Sequence, residues 1–135
     1  QTEYNLYARE AFEGGLRDLT TAEDIGVVCY FGLARGFLSG KYRSEADLGQ
    51  SARGSGVKDY LNDRGFGILS ALDAVAEARG ATQAEVALAW LAAQSGVTAP
   101  IASATSVVQV DSLIRAASLV LSADDIRALN EASAA

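Results

Sequence analysis

Histidine and methionine are both absent from these 135 residues, and proline and cysteine occur once each. Without histidine the commonest general acid/base and metal ligand is missing. Zinc sites and Ser-His-Asp chemistry are thereby excluded within this chain, since Cys29 has no imidazole or second thiol to work with. A single cysteine forms no internal disulfide, which fits a reducing, cytoplasmic setting. Positive charge is scarce: 11 Lys and Arg stand against 17 Asp and Glu, a net charge of −6 that argues against a nucleic-acid partner. No apolar run approaches the roughly 20 residues of a bilayer span, and no signal-peptide pattern opens the chain, so no membrane partner is expected. With no methionine, the chain is not expected to begin at a translation start.

What is present describes a globular domain. Half of the residues are hydrophobic and 21% are charged, enough apolar material for one core. Strand and helix patterns alternate along the chain. "TEYNLY" (2–7) alternates partly, as though the chain started inside a strand. Phe12, Leu16 and Leu19 then lie at helical spacing, weakened by Gly14-Gly15. "IGVVCY" (25–30) has the β-branched pattern of a strand covered on both faces. Residues 41–65 read as a polar, Gly- and Ser-rich loop of mixed charge, and a loop that long in a compact domain is usually functional or disordered.

"FGILSALDAVAEARG" predicts a helix with Phe66, Leu69, Leu72, Val75 and Ala76 on one face and Gly80 as its C-cap. "TQAE" (82–85) is a capping box opening a buried helix that holds Trp90, a core residue by that placement. "VTAPIAS" (97–103) reads as a short strand, its proline confined to a strand start or edge. Helices follow through "TSVVQVDSLIRAA" and from Ser122, with acids in the last one's first turn. This order implies an α/β fold with parallel pairing.

Two stretches carry possible chemistry. "YFGLARGFLSGKYR" (30–43) follows a strand with three glycines, a lysine and two arginines. It is no Walker A loop, because the position five before Gly40 is Arg35 and Lys41 is followed by Tyr42. It is no dinucleotide fingerprint either, because Gly32, Gly36 and Gly40 are spaced by four. A phosphate-gripping turn and a plain strand end both fit. In "IASATSVVQ" (101–109), Ser103, Thr105 and Ser106 surround a predicted helix start. That is either an anion pocket or a serine N-cap and nothing more. Both stretches follow a strand's C-terminal end, the edge where α/β folds place ligands.

"QTEYNLYAR", "IGVVCYFGLARGFLSGKYR", "TQAEVALAWL" and "APIASATSVVQVDSL", in that order, resemble the C-terminal half of the aldo-keto reductases. The resemblance covers essentially the whole chain. It implies that residues 1–135 are the cofactor-binding fragment of a (β/α)8 TIM barrel that reduces carbonyls with NADP(H). Thr2–Leu6, Val27–Tyr30 and Ala99–Ala102 would be its sixth to eighth strands. A complete barrel takes about 250 residues, so the N-terminal half of the same barrel is an implied partner, and a small carbonyl compound the implied substrate.

The resemblance also assigns residues. Gln1 would bond the nicotinamide carboxamide and Tyr30 would stack on its ring. The backbone of Phe31, Gly32, Leu33, Ala34 and Arg35 would wrap the pyrophosphate, with Lys41 and Arg53 approaching the phosphates. Ser103, Thr105 and Gln109 would surround the adenosine 2′-phosphate, with Ser112 and Leu113 at the adenine. The chain departs from the family at Phe31-Gly32, usually Ser-Pro, and at Ser112-Leu113, commonly Glu-Asn. Gln109 takes a place that is Arg in some subfamilies, which removes a bidentate cation. The family's catalytic Tyr, Lys, Asp and His belong to the first half of the barrel, so Tyr4, Tyr7, Tyr42 and Tyr60 are not proton donors by this reading. A nucleotide-binding or structural domain without turnover is the alternative.

Overall fold

A computed structural model describes residues 1–50 and 54–134 of the chain. Three short strands form a parallel sheet in the order β1-β2-β3: β1 (Thr2–Glu3), β2 (Val28–Tyr30) and β3 (Ala99–Pro100). Thr2 sits opposite Cys29 and Val28 opposite Ala99. Parallel neighbours need crossovers, and helices supply them. Helix α1 (Gly15–Ala22) links β1 to β2, while α2 (Asp63–Arg79) and α3 (Gln83–Ala92) lie between β2 and β3. Helices α4 (Val107–Ser118) and α5 (Ala123–Ala132) complete the described chain. Pro100, which has no amide hydrogen to donate, stands on an outer strand as expected.

Helix ends follow local chemistry. Asn62 Oδ1 accepts from the Gly65 amide to start α2, and Gly80 ends it in the left-handed region at φ 60°. Thr82 and Glu85 form the reciprocal capping box of α3, and Ser122 and Asp125 form another on α5. Each such cap is worth about 1 kcal/mol.

The core lies between the helices and one face of the sheet. Tyr4, Phe12, Phe37, Trp90 and Leu91 are fully buried, with the Tyr4 ring 4.9 Å from Phe12 and 5.5 Å from Trp90. Three expectations are corrected here. The helix expected around Phe12, Leu16 and Leu19 covers only Gly15–Ala22. Gly14, at φ 88°, breaks the phase, so Phe12 is buried while Leu16 and Leu19 are exposed. Phe66 is 38% exposed, because the buried stripe of α2 begins at Gly65 rather than at Phe66. A Cβ on Gly65 would run into the Tyr60 carbonyl and the Phe37 ring, so only glycine lets the helix settle there. Strand β2 is fully covered on one face only: Cys29, and Val27 just before the strand, are buried, while on the other face Val28 is half-buried and Tyr30 38% exposed.

Carboxylates inside this framework make it acid-sensitive. Burial pushes the Glu85 carboxyl up, but the Thr82 amide, the Ser112 hydroxyl and Arg115 outweigh it and hold the group below its ordinary range. Asp125 is held low against burial in the same way, by Ser122 and Arg79. A carboxyl depressed in the folded state contributes stability above its unfolded pKa and loses it as pH falls through the folded value. The melting temperature is therefore expected to hold down to about pH 5 and to drop steeply toward about pH 3. In Glu85→Gln the acid limb should be shallower and the neutral-pH melting temperature lower, as thermal melts across that range would record.

Candidate functional site

The chain leaves β2 through an unusual turn. Directly after Tyr30, Phe31 has φ 54°, Ala34 46° and Arg35 59°, followed by Gly36 at 100°. Left-handed non-glycine residues are uncommon and cost roughly 1–2 kcal/mol each. Three within five positions concentrate strain of the kind found at functional sites. The turn is closed by the Ala34 amide on the Phe31 carbonyl at 2.7 Å and the Gly36 amide on the Leu33 carbonyl at 2.8 Å. Gly32 lets it lie flat on α3, because a Cβ there would come within 2.9 Å of Leu91 Cδ2 and 3.1 Å of Leu88 Cδ2. The first two of the glycines spaced by four therefore belong to this turn.

This turn forms one wall of a cavity of about 640 Å³ at the C-terminal edge of the sheet, within the size range of small-molecule sites. Tyr30, Phe31, Gly32, Leu33, Arg35 and Gly36 come from the turn. Ile101, Ala102 and Ser103 come from the segment after β3. Leu88 of α3, Leu113 of α4 and the Ser55-Gly56 pair close the remainder. The Phe31 ring lies edge-on to Tyr30 at 5.2 Å, and the Arg35 guanidinium sits 5.1 Å from its centroid. Gly56 makes room for that guanidinium, since a Cβ there would approach Arg35 Nη1 to 3.2 Å. The cavity thus joins two aromatic residues, a cation and two serines.

Of the residues expected from sequence, the structure gathers Tyr30, Phe31, Gly32, Leu33, Arg35, Ser103 and Leu113 on this wall. Ala34 is buried behind the turn. Lys41 runs past the back of Gly36, where a Cβ would lie 3.9 Å from its Nζ, and places that ammonium 5.0 Å from the Tyr42 ring. Gln1 is exposed at the head of β1, off the wall. Gln109 Oε1 turns back to accept from the Thr105 amide at 2.7 Å and the Thr105 hydroxyl at 3.1 Å. The Ser112 hydroxyl donates to Glu85 Oε1 at 2.8 Å. Arg53 lies outside the described residues.

Six lining positions, Gly36, Ser55, Gly56, Leu88, Ile101 and Ala102, were assigned no contact from sequence, although Gly36, Ile101 and Ala102 lie in the two stretches picked out there. For Ser55 and Gly56 the only signal was the polarity of their long loop. Leu88 is masked by its place in a helix buried nearly all round. Ser106, read as an anion donor or a cap, is the cap of α4 and accepts from the Gln109 amide.

Groups elsewhere are committed to structure. Burial, aided by a hydrogen bond to Glu13, pushes the Tyr4 phenol well above its usual range. Burial likewise raises the Cys29 thiol. Trp90 is fully buried, and its Nε1–H donates to Asn130 Oδ1 at 2.9 Å. Among the described residues no helix is long and apolar enough to cross a membrane, and no group of side chains could hold a metal ion.

Comparison with known proteins identifies the family and the fold. The model of the aldo/keto reductase family matches residues 1–134. A probable voltage-gated potassium channel subunit beta from Arabidopsis thaliana is 32% identical over 130 residues, 89% of this chain and 38% of that protein. The aldo-keto reductase yakc [NADP(+)] of Schizosaccharomyces pombe is 27% identical over 98% of this chain and 40% of its own length. The chain thus spans less than half the length of these relatives. A crystal structure of a thermostable aldo-keto reductase with the inhibitor epalrestat superposes with a TM-score of 0.69 at 22% identity. That match covers 96% of this chain and 38% of the other, and shows a shared fold.

Proposed function

The chain belongs to the aldo/keto reductase family, an oxidoreductase class, and on that premise we propose that it is the C-terminal, cofactor-holding part of an NADP(H)-dependent carbonyl reductase. The observation that carries this reading is the left-handed turn at 31–36, which sets Arg35 and Tyr30 on one cavity at the C-terminal edge of a parallel sheet. The donor set suits the cofactor: a guanidinium for phosphate, an exposed aromatic ring for a flat heterocycle and the Ser103 hydroxyl for a polar contact. When bound, NADPH supplies hydride to an aldehyde or ketone carbon. Tyr30 would hold the nicotinamide end and Arg35 would neutralise phosphate, with the turn keeping both in register. On the same reading, proton donation belongs to the remainder of the barrel.

Open surfaces support a partner segment. Among the described residues the outer strands β1 and β3 each pair on one side only, Tyr30 on β2 is 38% exposed, and Val107, Val110 and Ile114 are exposed on α4. Parallel sheets are ordinarily covered on both faces, so the N-terminal half of the same barrel is the proposed cover. A second reading, a nucleotide-binding domain without turnover, draws support from the likeness to the plant channel subunit.

The full-length protein carrying this chain should be titrated with NADPH and then assayed with a panel of aldehydes and ketones. Saturable binding with carbonyl-dependent NADPH oxidation is the expected result. Binding without turnover would favour the second reading, and no binding would overturn both.

A further inference from the structure

We propose that Asn5 is a positioning residue for the cavity: it holds the Phe31–Gly36 turn from behind and thereby sets the affinity for the cofactor's phosphates. The inference rests on the cofactor reading above and adds a residue that does not itself line the cavity.

Asn5 is fully buried, where an amide is tolerated only if its hydrogen bonds are made. Its two ends do different work. Oδ1 accepts from the Tyr7 amide at 2.8 Å and the Ala8 amide at 2.9 Å, closing the bend after β1 upon itself. Such local bonding needs only a short side chain with an acceptor. Nδ2 instead crosses to another element and donates to the Phe31 carbonyl at 2.9 Å, 26 residues further along the chain. That carbonyl also accepts the Ala34 amide at 2.7 Å, so both lone pairs are filled and its direction is set from two sides.

The bond falls on the first left-handed residue of the turn. A non-glycine residue keeps such a conformation only where its surroundings over-determine it. The Phe31 ring in turn carries the Arg35 guanidinium at 5.1 Å and meets Tyr30 at 5.2 Å. Fixing Phe31 therefore fixes the two groups proposed to meet phosphate and nicotinamide.

The two roles can be separated by Asn5→Asp, which keeps the acceptor for Tyr7 and Ala8 but sets a carboxylate where Phe31 needs a donor. Asn5→Ser also keeps a local acceptor, too short to reach Phe31, and serves should the carboxylate prevent folding. In the full-length protein, both variants should raise the NADPH dissociation constant about tenfold. Without cofactor, the Ala34 and Gly36 amides should exchange hydrogen faster while those of Tyr7 and Ala8 stay as in the parent. For Asn5→Asp the loss of affinity relative to the parent should shrink as the pH falls, because a protonated carboxyl regains a donor, and exchange at the Ala34 and Gly36 amides should slow in parallel. Unchanged affinity with a lowered melting temperature would overturn the proposal, as would unchanged exchange in the turn. A parent protein that binds no NADPH would overturn the cofactor reading, whereas faster exchange in the turn of its variants would still uphold the hold of Asn5 on Phe31.

Discussion

Replacing Trp90 by alanine is expected to cost about 3–5 kcal/mol of folding stability, a large share of the roughly 5–15 kcal/mol that holds a typical domain together. The indole is the largest fully buried side chain, on a helix whose residues 85–91 are all buried. Its neighbours come from three other parts of the chain: the Tyr4 ring at 5.5 Å, the Arg9 guanidinium at 5.7 Å and Asn130 at the end of its N–H bond. Alanine would leave a void that these neighbours, tied by their own bonds, cannot close. Arg9 is already fixed to Glu13, Ser133 and the Asn130 carbonyl. Trp90→Phe keeps most of the ring and loses the N–H bond, so it should cost only about 1–3 kcal/mol. Urea or thermal melts of both variants separate packing from hydrogen bonding. An alanine variant within about 1 kcal/mol of the parent would refute the account.

Ligand affinity provides the second large effect. Arg35→Ala should raise the NADPH dissociation constant about 10–100-fold, the loss of one charge-assisted contact to phosphate. Arg35 is exposed, stacks on Phe31 and forms none of the buried core. The melting temperature of the variant without cofactor should therefore stay within about 2 °C of the parent. Arg35→Lys should recover part of the loss, because an ammonium keeps the charge without the planar fork. The parent's affinity should also fall more steeply with salt than that of the alanine variant. Equal affinities for parent and alanine variant, measured by fluorescence titration, would show that the cavity does not grip phosphate through this residue.

Glycine and serine in the wall deepen the contrast between what is local and what is not. The 30–43 stretch drew notice for its glycines and cations, yet each ended in a different role. Gly32 is the close approach to α3, Gly40 at φ 77° caps the short 3-10 helix at Ala34–Ser39, and Arg43 pairs with Asp73 away from the cavity. Gln109 shows the converse: expected to face a phosphate, it serves as the partner of Thr105 four residues before it. Composition could not separate these outcomes, because the same side chains fit both.

By itself the sequence determined whatever depends on neighbours three or four residues apart. The capping boxes at Thr82 and Ser122, the glycine stop at Gly80, the burial of α3 and the alternation of strands with helices are all of this kind. Their energies come from bonds within one turn and from a repeating apolar face, and both are written in residue order. Only the tertiary structure decided which face of β2 is covered, that Phe66 stays exposed, and that Phe31, Ala34 and Arg35 turn left-handed. Those outcomes depend on contacts such as Asn5 with Phe31, Gly32 with Leu88 and Leu91, and Gly65 with Tyr60 and Phe37. A periodic pattern shows that a residue will be buried, but the partner that buries it is chosen when distant segments pack.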